Sequence, residues 1–238
     1  MKRSLAERQN TANVYLLDRR TSPWQEIEIH RHPIYGNQLW IDGDLQISEA
    51  DFAYNSALIA PLLTLARCEN IAILGGGDGG VLNHLLNTWD HLRKPLQRVT
   101  LIDIDDTVIE LCRKWMTLQC GEAFDDARAE IVVGDAFAWI GAARNLDAVI
   151  YDLTMDPVRE GISRREFIQE ILASIHQALR PGGILSLQAC GEQEPGSRIL
   201  LAEIRTELES RFRNVQLQTV IVPSYGERWN FFAAQKSG

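Results

Sequence analysis

The chain contains no apolar run approaching the length of a membrane span, and its opening residues, Met1 to Asn10, hold no apolar segment of the kind that directs secretion. A cytoplasmic location without a membrane partner is the expectation. Cysteine is scarce: Cys68, Cys112, Cys120 and Cys190 show no C-x-x-C spacing, so reduced thiols are expected rather than disulfides or zinc ligands. The five histidines are scattered. His30 and His32 fall on one strand face, but no carboxylate stands at metal-ligand spacing from them, and no metal is expected. G-x-S-x-G and a phosphate-loop lysine are both missing, which removes the key residues of hydrolase and nucleoside-triphosphatase readings. Positive charge is in deficit as well. Against 32 acidic residues stand 24 Lys and Arg, a net charge of −8, which disfavours nucleic acid and anionic membranes and suits a cationic ligand. In other respects 238 residues with 45% hydrophobic and 24% charged content describe one α/β domain with a small appendage.

No repeat or low-complexity segment divides the chain. Residues 1–12 are polar. From Val14 to Ile47 the pattern is strand-like: Gln25–Ile29 alternates, Tyr35-Gly36-Asn37 turns, Gln38–Ile41 alternates again, and Asp42-Gly43 signals a hairpin. A helix is expected over Ala50–Arg67 with Ser48 as N-cap. Beyond Asn70, strand candidates at Ile71–Leu74, Arg98–Ile102, Ala129–Val133, Ala148–Tyr151, Gly183–Ala189 and Val215–Val222 alternate with helix candidates. The helices are expected at Val81–Asn87, Thr107–Leu118, Phe137–Ala142, Arg164–Leu179 and Ser197–Arg211, with Arg180-Pro181-Gly182-Gly183 stopping the fourth and starting the next strand. The fold class predicted is α/β: a Rossmann-like, AdoMet-type, mostly parallel sheet with helices on both faces, plus a small N-terminal antiparallel β region. The expected division is residues 1–48 for the β region and 49–238 for the Rossmann-like domain.

The first strand of the alternating part runs into Gly75-Gly76-Gly77-Asp78-Gly79-Gly80, followed by the helical Val81–Leu86. Gly75, Gly77 and Gly80 satisfy G-x-G-x-x-G, a weak signal alone. Asp78 sharpens it, because a carboxylate at a helix N-terminus repels a pyrophosphate and suits a ligand that is cationic at that end, such as a nucleoside sulfonium carrying an amine. A dinucleotide oxidoreductase is disfavoured for that reason. Successive strand ends carry Asp78, Asp103, Asp135 and Asp152, which would converge on one electronegative cleft. Asp103 follows Gly80 by 23 residues, close to the spacing of an acid that accepts from ribose hydroxyls. Asp135 suits an adenine amine and equally suits the N-cap of the helix at Phe137.

Many AdoMet-dependent methyltransferases carry an acid two residues before the first glycine of this loop; here that position is Ile73, and the acid lies among the glycines at Asp78. In this the loop resembles that of the spermidine synthase family, the polyamine aminopropyltransferases. The resemblance spans roughly residues 24–236. It includes Trp24-Gln25-Glu26-Ile27, Tyr35-Gly36-Asn37, Ile41-Asp42-Gly43-Asp44-Leu45-Gln46, the ordered Glu49, Asp51 and Tyr54, and the closing Pro223-Ser224-Tyr225 and Trp229-Asn230-Phe231. What it implies is transfer of an aminopropyl group from decarboxylated AdoMet, a co-substrate rather than a tightly bound cofactor, to a small-molecule diamine or polyamine. By the same resemblance Gln25, Gly75, Gly77, Asp78, Gly79, Asp103 and Asp135 hold the donor, with Asp78 on its aminopropyl amine, Asp103 on ribose, Asp135 on adenine and Gln25 at the amine end. Asp152 is the catalytic acid, Tyr54 and Tyr225 orient the attacking amine, and Asp156 and Asn55 serve the acceptor. A homodimer through the N-terminal sheet is the family expectation. Trp24, beside Gln25, is a candidate to line the site.

The chain departs from the family pattern at three places. Asp103 replaces a Glu. Tyr54 is followed by Asn55-Ser56 where the family has His or Gln and then Glu. The stretch Asp152-Leu153-Thr154-Met155-Asp156-Pro157 is one residue longer and more apolar than the family's catalytic loop. These departures leave the acceptor open and keep two alternatives: an AdoMet-dependent methyltransferase on the same scaffold, and a nucleoside- or polyamine-binding protein without turnover.

Overall fold

The alternation Glu26-Ile27-Glu28-Ile29 does what a period of two dictates: Ile27 and Ile29 point into the core, fully buried. In the computed structural model, which describes residues 14–155 and 161–238, these residues lie on the second of four strands. β1 (Tyr15–Thr21), β2 (Glu26–His32), β3 (Gly36–Ile41) and β4 (Asp44–Ser48) form an antiparallel meander in chain order. Asp42 and Gly43, at φ 49° and 78°, make the two-residue turn between β3 and β4, where both positions need a left-handed backbone.

The helix expected over 50–67 is two pieces. α1 spans Phe52–Ile59, and a 3-10 turn, Ala60–Thr64, follows because Pro61 has no N–H and its ring excludes the carbonyl four residues back. Ser48 is not the cap; it ends β4, and Asp51 occupies the cap position.

The second sheet has seven strands: β5 (Asn70–Gly75), β6 (Arg98–Asp103), β7 (Ala129–Val133), β8 (Leu146–Asp152), β9 (Leu179–Gly191), β10 (Phe212–Val222) and β11 (Glu227–Lys236). Their order is β10-β11-β9-β8-β5-β6-β7, with β5 to β9 parallel and β11 antiparallel to both of its neighbours, β9 and β10. The central strands are buried on both faces, while the edge strands β7 and β10 are largely half-buried or exposed. Along β5, Ile71 and Ile73 join one apolar cluster while Ala72 and Leu74 join the other, which is why this strand reads as an unbroken apolar run. The connecting helices are α2 (Gly80–Leu92), α3 (Asp106–Trp115), the short α4 (Thr117–Cys120), α5 (Ala136–Ala142), α6 (Arg164–Ala178) and α7 (Ser197–Arg211).

Three local expectations change. Arg180–Gly183 does not separate α6 from its strand: Leu179 already pairs with Leu146, and an irregularity before the Ala148–Ile184 pair absorbs the Pro-Gly-Gly stretch. The helix expected over 107–118 breaks at Met116 into α3 and α4. β11, absent from the expected strands, inserts between β9 and β10. Chain order reverses direction at β5, which has β6 on one side and β8 on the other; crevices at such a switch point, beyond the carboxyl ends of the strands, are where open α/β sheets bind ligands. Among the described residues no helix is long and apolar enough to cross a membrane.

Candidate functional site

A cavity of ≈ 570 Å³ opens at that switch point, between the strand ends of the large sheet and the β3–β4 hairpin. The glycine loop forms part of its wall through Gly76 and Gly77. At Gly77 a Cβ would stand 2.6 Å from Asp103 Oδ2, and the Gly77 N–H donates to that same oxygen at 2.9 Å. The loop therefore approaches the end of β6 as closely as a backbone can, and only glycine permits it. Gly79, at φ +77°, turns the chain into α2, where any side chain would meet the Phe124 ring at 2.6 Å.

Asp78 is half-buried in the cavity wall. Its Oδ1 accepts from the Gly80 N–H at 2.8 Å and from Gln119 Nε2 at 3.3 Å. Burial outweighs these bonds and pushes its pKa up to about 6. Asp103, with Oδ1 accepting from the Asp105 N–H at 3.0 Å, is likewise raised by burial. Asp152 ends β8 next to the loop; its Oδ1 accepts from the Tyr54 hydroxyl at 2.5 Å. Burial foremost, and then the Asp152 charge, hold the Tyr54 hydroxyl well above its ordinary pKa, so it stays a donor. Tyr225 donates its hydroxyl to the Gln46 carbonyl on β4 and packs edge-on against Tyr54 at 6.3 Å between ring centroids.

Of the residues expected at the site, the structure brings Gln25, Tyr54, Gly77, Asp78, Asp103, Asp152 and Tyr225 to one cavity. Gly75 and Gly79 shape the loop without lining it. Asp135 does not converge with the other strand-end acids: it is exposed, and its Oδ1 caps α5 by accepting from Phe137 N at 2.8 Å and Ala138 N at 3.3 Å. Asn55 is buried on α1, away from the lining, because residues next to each other on a helix point about 100° apart and Tyr54 takes the cavity side. Trp24 is 58% exposed and lines nothing. Asp156 lies outside the described residues. Among those described, no group of three His, Cys, Asp or Glu side chains is arranged to hold a metal.

Sequence reasoning passed over several lining residues. Asp44 and Gln46 alternate on β4 and share a face, a signal that was available; Gln188, Glu194 and Trp229 reach the cavity from β9, the loop after it and β11, which no local pattern indicates. Asp105 was missed too. Fully buried, it accepts from Ser22 Oγ at 2.6 Å and Gln25 Nε2 at 2.9 Å while capping α3 through Thr107 N at 3.0 Å. It thereby fixes Gln25, in the turn between β1 and β2 of the small sheet, against the end of β6. Taken together, the described lining carries five carboxylates (Asp44, Asp78, Asp103, Asp152, Glu194) and no basic side chain.

A family model described as "Spermine/spermidine synthase domain" matches residues 51–238. The chain is 33% identical to a polyamine aminopropyltransferase of Aeropyrum pernix, over 90% of this chain and 67% of that protein. It is 35% identical to one of Nitrosomonas europaea, over 93% and 66% respectively. The chain thus spans about two thirds of the length of the curated relatives it matches. Among solved structures, a spermidine synthase from Thermotoga maritima shares the fold with a TM-score of 0.75 at 24% identity, covering 94% of this chain and 73% of that one. A spermidine synthase in complex with the transition-state analogue AdoDATO superposes with a TM-score of 0.78, also at 24% identity, covering 94% of this chain and 74% of that one.

Proposed function

This chain belongs to the spermine/spermidine synthase family, and on that premise we propose that its cavity transfers an aminopropyl group from decarboxylated AdoMet to a diamine or polyamine. The observation that carries the reading is the charge of the wall: five carboxylates and no basic side chain among the described lining residues. Both substrates are cations. Intact AdoMet, by contrast, brings a carboxylate that needs N–H or cationic partners and would meet Asp78 instead.

The displacement needs little help at sulfur, since a sulfonium leaves without protonation. The obstacle is the acceptor, whose aliphatic amine has a pKa of about 10.4 and arrives as ammonium. Asp152 accepts the ammonium's hydrogen bond and takes one proton, which passes to solvent. The nitrogen lone pair then attacks the propyl carbon next to sulfur, the C–S bond breaks with its electron pair going to sulfur, and methylthioadenosine leaves. The new secondary amine carries the positive charge that the sulfonium has lost. Tyr54 steadies the carboxylate through its 2.5 Å hydrogen bond, and Tyr225 faces the incoming nitrogen beside it. Asp78 and Gln25 hold the donor's amine end and Asp103 its ribose. Asp135 offers its adenine contact only from outside the described cavity wall, and Asp156 and Asn55 stay assigned to the acceptor by resemblance alone. The same proposal treats residues 1–48 as a β region and 49–238 as the catalytic domain, and includes a homodimer through the small sheet.

Incubation with decarboxylated AdoMet and putrescine, cadaverine, spermidine or longer amines should release methylthioadenosine with at least one of them. No release with any member of the panel sinks the reading. Calorimetry should find decarboxylated AdoMet bound more tightly than AdoMet; the reverse order would mark a methyltransferase.

A further inference from the structure

The proposed chemistry uses the ends of a chain of contacts but not its middle. Gln188 on β9 is buried beside the strand that carries Asp152. Its Oε1 accepts the indole N–H of Trp229 at 3.0 Å, and its Nε2 donates to the backbone carbonyl of Leu153, the residue after Asp152. The Trp229 ring packs edge-on against Tyr225 at 4.9 Å, Tyr225 packs against Tyr54 at 6.3 Å, and the Tyr54 hydroxyl returns to Asp152 at 2.5 Å. The contacts form a closed circuit through Asp152, Leu153, Gln188, Trp229, Tyr225 and Tyr54.

A primary amide completes this circuit without charge at any pH, since it presents an acceptor and a donor on one rigid plane. We propose that Gln188 is a positioning residue for the transfer: by holding the Leu153 carbonyl and the Trp229 indole in fixed relation, it sets the Asp152 carboxylate relative to Tyr225. The inference rests on the aminopropyl-transfer reading above. Its physical basis is that an in-line displacement tolerates little error, a misplacement of about 1 Å costing roughly 100-fold in rate. A tie within the turn after β8, from the Tyr151 hydroxyl to the Thr154 carbonyl at 2.6 Å, does not reach β9 or β11.

Two full-length variants test it, Gln188→Leu and Gln188→Glu. Methylthioadenosine release is followed at saturating substrates from pH 6 to 9, each rate divided by the wild-type rate at the same pH so that acceptor ionisation cancels. Gln188→Leu should lose about 10- to 100-fold in kcat at every pH, with methylthioadenosine affinity changed by no more than about threefold. Gln188→Glu should behave differently. Protonated, it offers an O–H donor and a carbonyl acceptor, the pattern of the amide; ionised, it is acceptor-only and opposes the Leu153 carbonyl. Burial, together with the Asp152 and Glu194 carboxylates and the Tyr54 and Tyr225 hydroxyls on the same wall, favours the protonated form, so its relative kcat should climb towards one as pH falls. Wild-type kcat in Gln188→Leu, or a relative rate for Gln188→Glu that does not change with pH, overturns the proposal. Amide hydrogen exchange over residues 152–155 separates this from the wider reading: should the wild type release no methylthioadenosine, the function fails, while faster exchange in Gln188→Leu still supports the tie and unchanged exchange rejects it.

Discussion

Asp152 and Tyr54 stand 98 positions apart in the chain and share one hydrogen bond of 2.5 Å. Because burial and the neighbouring charge keep Tyr54 protonated, the proton in that bond belongs to the phenol and Asp152 stays an acceptor, the role the proposed transfer gives it towards the substrate ammonium. Asp152→Asn keeps the shape but loses the base, and turnover should fall by about two to four orders of magnitude with donor binding intact, checked by methylthioadenosine release alongside calorimetry. Near-normal turnover in a folded, donor-binding variant would reduce Asp152 to a turn residue. Asp78 carries a second prediction. Its pKa of about 6 means the empty site is part-protonated near pH 6, whereas a bound ammonium favours the carboxylate. Affinity for decarboxylated AdoMet should therefore rise as pH climbs through about 6 and level off above 7, with proton release on binding below that. The sign for the ligand-free fold is opposite. A raised carboxyl pKa lets the folded state keep the proton, so this residue's contribution to stability falls as pH rises from the ordinary carboxylate range through 6. Asp78→Asn should flatten both profiles, read by calorimetry and by denaturant titration across pH.

Asp51 shows how elements are brought into register. It sits at the start of α1, fully buried, and accepts from Ser48 N at 2.8 Å, Ser48 Oγ at 2.7 Å, Ser224 N at 3.0 Å and Ser224 Oγ at 2.5 Å. One carboxylate thus joins the end of β4, the helix that carries Tyr54 and the turn that carries Tyr225. Removing it orphans buried donors on two segments, so Asp51→Ala should cost about 3 kcal/mol or more, measured by chemical denaturation. Ser224→Ala, which leaves the backbone bond, should cost about 1–2 kcal/mol. A loss below about 1 kcal/mol for Asp51→Ala would mean that the turn after β10 is held by packing alone. Asp105 works in the same way between β6 and the small sheet, which is why Gln25 reaches a cavity otherwise built from the large one.

Across the whole molecule, β11 divides its two phenylalanines between the two faces of the large sheet. Phe231 belongs to the apolar cluster under Tyr54, with ring centroids 5.1 Å apart, and Phe232 to the cluster on the opposite face. Both are buried, at 2% and 1% exposure, so Phe231→Ala and Phe232→Ala should each destabilise the fold by about 3–5 kcal/mol. Their effects on turnover should separate. At a temperature where both variants are folded, Phe231→Ala should slow the reaction by loosening Tyr54, and Phe232→Ala should leave it near the wild-type rate. Equal losses of kcat would show that the two faces are not mechanically independent.

Local pattern was enough for much of this chain. Apolar runs followed by glycine or acidic residues mark β5, β6 and β8, because strands buried on both faces cannot alternate and must end in a turn that a ligand can approach. Asp42-Gly43 marks its hairpin because few residue pairs accept two left-handed conformations. Asp78, Asp103 and Asp152 were legible as strand-end acids, since a parallel sheet sends every such end to the same side. Tertiary structure alone decided that Asp135 spends its Oδ1 on capping α5 while the other three share a cavity: a short polar side chain before a helix satisfies either role, and only the placement of β7 at the sheet edge separates them. It likewise decided that β11 runs between β9 and β10, because antiparallel insertion depends on which edge is free and not on the strand's own residues. The contacts of Asp51, Asp105 and Gln188 belong to the same class. Each joins segments up to 173 positions apart, and a carboxylate or amide gives no sign in sequence of the distant donor that will fill it.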